Sequence, residues 1–224
     1  MPRDTSHSVT SGGDVSTPAQ YLGGMDEGRP SPAPGPLPRA VVLRDGTPMV
    51  VRAGGAPGDR KLLLAGFQKF SPQSRYHRFL FAVPALSEQM LHRLVDEVDG
   101  RDHVAVVLAP ADRPERPVGV ARLIRYPHQL DTADIAVSVV DDWQGRGVAT
   151  ALLQALLPLR PVGVTRLDAE IAMDNVPALA MVRRLGKVSA TSIGSGAYRV
   201  EVALTPGAPA AGLRAADSAS PGPG

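Results

Sequence analysis

Cysteine is absent from the 224 residues, which excludes a disulfide framework, a thiolate zinc site and a cysteine nucleophile. No apolar run approaches the roughly 18 residues of a spanning helix, and the N-terminus lacks a signal peptide's basic-then-apolar order. A soluble, cytoplasmic protein that engages no membrane is expected. Lysine is scarce: Lys61, Lys69 and Lys187 stand against 21 Arg. No Lys/Arg run provides a nucleic-acid track, so no nucleic-acid partner is expected. The five histidines show no metal-ligand spacing; His77, His92, His103 and His128 read as surface or capping groups, and no metal is expected.

Glycine and proline are plentiful but unevenly placed. Residues 1–38 and 205–224 hold 21 of the 45, and they lack apolar periodicity, so both ends read as disordered tails. The remaining core, 39–204, is long enough for one domain with its own hydrophobic interior. The formal net charge is +2; the tails carry −2, leaving +4 on the core. A mild, distributed positive charge suits a small anionic ligand.

Val41–Leu43 and Met49–Arg52 read as strands joined by an Asp45-Gly46 hairpin turn. Leu63, Phe67 and Phe70 have helical spacing within 60–70, and Ser87 caps a second helix bearing Met90, Leu91, Leu94 and Val95. Strands are expected at His103–Leu108, Val118–Ile124, Ile135–Val140, Val164–Ile171 and Tyr198–Leu204. Helices are expected over 147–157 and Asp174–Leu185, the latter stopped by Gly186 at its C′ position. Runs of strands mixed with alternation indicate an α/β protein with a mixed sheet rather than a purely doubly wound one. No internal repeat is present.

The most informative stretch runs from Val137 to Thr150: a strand ends, a short loop turns, and a helix starts near Gly147. A helix start offers unpaired N–H groups and a positive dipole end. Gly145 and Gly147 remove side chains that would block a phosphate, and Arg146 adds a charge. No Gly-Lys-Ser/Thr accompanies them, so this is not a P-loop. A plain glycine turn is one alternative. A dinucleotide site is another, since Asp168 lies 21 residues past Gly147, but Thr150 occupies the third-glycine position.

Gln144-Gly-Arg-Gly147-Val-Ala149 resembles the Gln/Arg-x-x-Gly-x-Gly/Ala signature of the GNAT acetyltransferase superfamily, and Asp174-Asn175-Val-Pro-Ala178 resembles its Asn-x-x-Ala element. The likeness extends from about Leu43 to Leu204. Ser71–Phe79 and Asp141–Gly147 together are similar to the acetyltransferase domain of bacterial Pat-type protein lysine acetyltransferases. The resemblance implies an α/β fold with a mixed, largely antiparallel central sheet flanked by helices. It implies acetyl-CoA as acyl donor and a primary amine, a protein lysine foremost, as acceptor. A small-molecule amine acceptor and a weakly catalytic CoA-binding module are the alternatives. The cofactor-binding residues it implies are Val139, Val140, Gln144, Gly145, Arg146, Gly147, Val148, Ala149, Thr150 and Asn175, with the Val139 N–H polarising the thioester carbonyl.

A lysine ammonium has a pKa near 10.4, so transfer to it is helped by a general base. Asp134 stands where Pat-type domains carry a Glu, and Glu170 is the second candidate because it alternates with apolar Leu167, Ala169 and Ile171. Counting from Asn175, the tyrosine many superfamily members use to protonate the thiolate is replaced by Val182; Tyr198 is a possible substitute or a packed core residue. Trp143 reads as packing the loop onto the sheet, with stacking on the adenine as the alternative. Arg75 and Arg78, expected between helices, either fix those helices by salt bridges or line the acceptor cleft.

Overall fold

A computed structural model of the chain describes residues 37–194 and 196–204. The expected tails, Leu37 and Pro38 apart, lie outside the described residues. Eight strands form one sheet in the order β1-β2-β3-β4-β5-β6-β8-β7. They are β1 (Arg39–Val42), β2 (Pro48–Ala53), β3 (His103–Pro110), β4 (Gly119–Tyr126), β5 (Gln129–Val139), β6 (Arg166–Ala172), β7 (Gly186–Ser192) and β8 (Ala197–Leu204). Every neighbouring pair is antiparallel except β5 with β6. The mixed, largely antiparallel sheet is therefore as expected.

One face of the sheet carries α4 (Val148–Leu156), whose Val148, Ala151, Leu152, Leu153, Ala155 and Leu156 are all buried. They pack with Met49, Leu108, Leu123 and Leu167 in the main core. Each such leucine contributes roughly 1.5–3 kcal/mol by leaving water, so this contact fixes where α4 begins. α5 (Val176–Val182) adds Val182 to the same core. The opposite face is roofed by α1 (Asp59–Phe67), α2 (Pro72–Phe79) and α3 (Glu88–Leu91), the last continuing as a π-helical turn over His92–Asp96. Their smaller core holds Phe67, Val83, Leu86 and Leu91. Among the described residues no helix is long and apolar enough to cross a membrane.

Three expectations are corrected. Residues 72–79 form helix α2, so Arg75 and Arg78 lie on a helix rather than between helices. Ser71 caps it by accepting from the Ser74 N–H at 3.1 Å, and Pro72 sits at its start. The last helix ends at Val182, and Gly186 opens strand β7 rather than closing a helix. A Cβ there would lie 1.9 Å from the Ala203 carbonyl oxygen, so glycine serves close strand approach. His103 is buried at 5% exposure, not a surface group, because β3 is covered on both faces.

Candidate active site

Strands β5 and β6 pair only where Thr132–Asp134 meet Arg166–Asp168. Beyond Asp134, β5 stays with β4 as far as Val139, while β6 stays with β8 as far as Ala172. The sheet therefore opens as a wedge. The Val140 N–H donates to the Val118 carbonyl at 2.9 Å, which assigns the even-numbered residues of this part of β5 to the β4 ladder. Val137 and Val139 consequently turn their backbone groups toward the wedge, and the Val139 carbonyl accepts from Gln144 Nε2 at 3.2 Å.

The wedge leads into a cleft of about 1040 Å³ bounded by α2, the loop before α4, and the start of α5. Asp141–Trp143 make a 3₁₀ turn, then Gly145 (φ +74°) and Gly147 (φ +93°) take the left-handed conformation that other residues resist. No heavy atom lies within 4 Å of a Cβ built on Gly145, and only Arg44 Cγ, at 3.8 Å, approaches one on Gly147. Helix α4 has no side-chain cap, and its first ladder bond runs from the Ala151 N–H to the Gly147 carbonyl. The N–H groups of Gly145 through Thr150 have no acceptor among the described residues. The loop is thus an open nest of donors at a positive helix end, which fits a phosphate-bearing ligand.

The side chains around this nest divide by role. Gln144 ties the loop to α2 through Ser74 Oγ at 3.1 Å. Arg146 turns away from the nest: it donates to Asp45 Oδ2 at 2.9 and 2.8 Å and to Thr47 Oγ1, and it stacks over Trp143 at 4.2 Å. Hydrogen bonds from Thr47 and then Arg146 hold Asp45 down to about 2, so this pair is ionised. Trp143 itself packs against the main core. Arg44, which lines the cleft beside Gly147, has no ion-pair partner among the described residues and offers the free charge that Arg146 does not. Sequence reading missed Arg44 because the β1–β2 hairpin brings it in from a hundred residues away. Val140 and Val148 are buried and anchor the two sides of the loop, while Ala149 and Thr150 line the cleft. Asn175 lines it too; its Oδ1 caps α5 by accepting from the Ala178 N–H at 3.2 Å.

On the sheet face below α1–α3, Asp134 stands directly beside Asp168 in the parallel register. The Tyr126 hydroxyl donates to Asp168 Oδ2 at 3.0 Å, and Asp168 Oδ1 is buried without a hydrogen bond. Burial pushes the Asp134 carboxyl up, Arg78 opposes this, and the Asp168 charge adds to it. Burial, reinforced by the hydrogen bond to Asp168, also pushes the Tyr126 hydroxyl up. Asp168 enters the sequence reading only as the ribose acid of the dinucleotide alternative; its signal, two carboxylates at matching register, exists only after strand pairing is known. Glu170 is elsewhere in character: its side chain is 47% exposed and paired with Arg199 at 3.0 Å. Val182 is buried and Tyr198 packs against the core. Arg75 has no ion-pair partner among the described residues; it lies over the Phe67 ring at 4.4 Å and donates to the Pro84 carbonyl. Arg78 lines the cleft.

The profile of the acetyltransferase (GNAT) family matches residues 69–186, from just before α2 to the first residue of β7. The chain belongs to the GNAT acetyltransferase family. It is 37% identical over 134 residues to the Acetyltransferase Pat of Mycolicibacterium smegmatis, a match covering 59% of this chain and 39% of that protein. The chain thus spans well under half of that relative. The GNAT domain of S. lividans PAT superposes with a TM-score of 0.65 at 29% identity, covering 75% of this chain and 97% of that one. A cAMP-binding acyltransferase from Mycobacterium smegmatis superposes at 0.52 and 26% identity, covering 75% of this chain and 48% of that one. The loop and the wedge both lie within the segment matched by the family.

Proposed function

We infer that residues 39–204 transfer an acetyl group from acetyl-CoA to a primary amine, with a protein lysine as the acceptor. The observation that carries this reading is the continuity of one cleft. It has an open nest at Gly145–Thr150 and a wall formed by Val137 and Val139, and a half-buried carboxylate pair, Asp134 and Asp168, stands where the wedge begins. In this arrangement the nest and Arg44 hold the pyrophosphate, and Asn175 borders the pantetheine arm. The Val139 N–H donates to the thioester carbonyl, a type of contact worth about 3 kcal/mol in the transition state.

Asp134, raised by burial, is suited to accept a proton from the acceptor ammonium, and Asp168 Oδ1 is an unused acceptor for the same group. Aspartate is one methylene shorter than the glutamate of Pat-type domains, so the proton reaches it from a more closely held substrate or through a bridging water. The amine then attacks the thioester by direct displacement. The lysine assignment is supported by two adjacent carboxylates, which suit a cation, and by the Pat relatives. One observation favours a weakly catalytic CoA-binding module instead: buried Val182 supplies no acid for the thiolate.

Incubation with acetyl-CoA and either a lysine-containing peptide or a small aliphatic polyamine, read by thiol release and mass spectrometry, tests the reading. Acetylation of the peptide lysine is expected. Exclusive use of the polyamine would remove the protein acceptor, and no thiol release with any amine would favour the binding module.

A further inference from the structure

A second cavity, of about 80 Å³, lies beneath the α1–α3 roof. It has room for several water-sized groups, each needing roughly 10–15 Å³. Its walls are largely apolar, with Leu63, Phe67, Val107 and Val120 among them; two guanidinium groups, Arg78 and Arg122, also line it, as does Asp59, whose carboxylate is paired with Arg52 at 2.5 Å. Phe70, Arg78 and Ser138 line both this cavity and the large cleft, so the two meet beside β5, where Ser138 lies between Val137 and Val139.

Neither arginine has an ion-pair partner among the described residues. Arg122 is 4% exposed and gives one N–H to the Leu94 carbonyl at 2.6 Å. Arg78 lies over the Phe79 ring at 4.9 Å and has no hydrogen-bond acceptor among the described residues. Asp134 feels both charges, but neither guanidinium is within the 4.0 Å of an ion pair with it. Burial presses both guanidinium groups down, Arg122 to about 9 with the Arg78 charge adding to the effect. Two cations with no ion-pair partner among the described residues, Arg122 buried and Arg78 half-buried, form an incomplete site, because a charge withdrawn from water is tolerated only when paired.

The chamber is partly covered by α1–α3 and joins the large cleft beside Ser138. A short chain passing Ser138 from the large cleft reaches it, and on the reading above that is the position of the acyl group. The geometry points to a second donor class, acyl-CoA thioesters whose acyl chain ends in a carboxylate, of the four-carbon succinyl size, with that carboxylate held by Arg78 and Arg122. The step balances as acetyl transfer does. The amine nitrogen forms a bond to the thioester carbon, the carbon–sulfur bond breaks, CoA leaves as thiol, and one proton of the ammonium is released. The acceptor lysine then changes from a cation to an anion. This inference rests on the proposed acyltransferase reading of the cleft.

The test compares kcat/KM of the full chain for acetyl-, butyryl- and succinyl-CoA with one lysine peptide; butyryl has the same chain length as succinyl without its charge. A charge-assisted hydrogen bond predicts a succinyl-to-butyryl ratio of about 10-fold to 100-fold. Arg78→Gln and Arg122→Gln are each expected to bring that ratio toward one, and the ratio within a variant is insensitive to a general loss of activity. Should Arg122→Gln not fold, Arg78→Gln at the rim of the chamber carries the comparison. Acetyl transfer with a ratio of one or less in the unmodified chain would overturn the inference while leaving the acetyltransferase reading intact. A high ratio unchanged in the folded variants would overturn the arginine assignment. Failure with all three thioesters would overturn the underlying reading as well.

Discussion

Asp134→Asn keeps the size and polarity of a side chain lodged beside Asp168 at the start of the wedge, but removes its ability to take a proton. Loss of a positioned general base slows turnover by about 10²–10⁴-fold, or roughly 3–5 kcal/mol of barrier. Stability moves the other way. Burial raises the Asp134 carboxyl above its unfolded value of 3.8, so between these two points the folded chain binds the proton more tightly. Stability therefore falls as pH rises through that window and stays lowered at neutral pH. Asn carries no charge to desolvate, so the variant is expected to be at least as stable as the parent at pH 7 and to lose that part of the pH dependence. Thiol-release kinetics across pH, with thermal melts at the same pH values, read both quantities. The acid limb of the parent's rate profile should vanish in the variant. Glu170→Gln, at an exposed ion pair with Arg199, should turn over almost as the parent does. Turnover of Asp134→Asn within threefold or so of the parent, outside the expected range, would refute the assignment of the base.

Gly186→Ala would set a methyl 1.9 Å from the Ala203 carbonyl oxygen, forcing β7 from β8; a loss of about 3 kcal/mol is expected in denaturant melts. Asn175→Ala removes the α5 cap and should cost about 1 kcal/mol. Asn175→Ser retains a capping oxygen but not the amide NH₂, so it should hold stability while raising KM for acetyl-CoA. An unchanged KM in the serine variant would reduce Asn175 to a cap.

The sheet was legible where strands are apolar and bounded by turns: β3, with every residue buried, reads directly as a core strand. Helix α4 was equally plain from its apolar stripe. Helix α2 was not, because Pro-Gln-Ser-Arg-Tyr-His-Arg-Phe has little apolar periodicity and buries no residue fully; its start signal was the Ser71-Pro72 pair. Edge strand β7 alternates only weakly, since most of its residues face solvent. The glycine loop stood out because positive φ demands glycine at two fixed positions. Arg44, Asp168 and the turning away of Arg146 were beyond reach, since each depends on pairing between distant segments. The arginine chamber belongs to the same class: Arg78 and Arg122 meet only once α2 folds over β4.

The most direct test of the account is a calorimetric titration of acetyl-CoA into the chain and into its Gly147→Glu variant, with melts to verify that the variant folds at its positive φ. Micromolar binding by the parent, abolished when a carboxylate replaces the open face of the nest, is the predicted result. No binding by the parent, or equal binding by a folded variant, would mean that the Gly145–Thr150 loop does not hold the acyl donor.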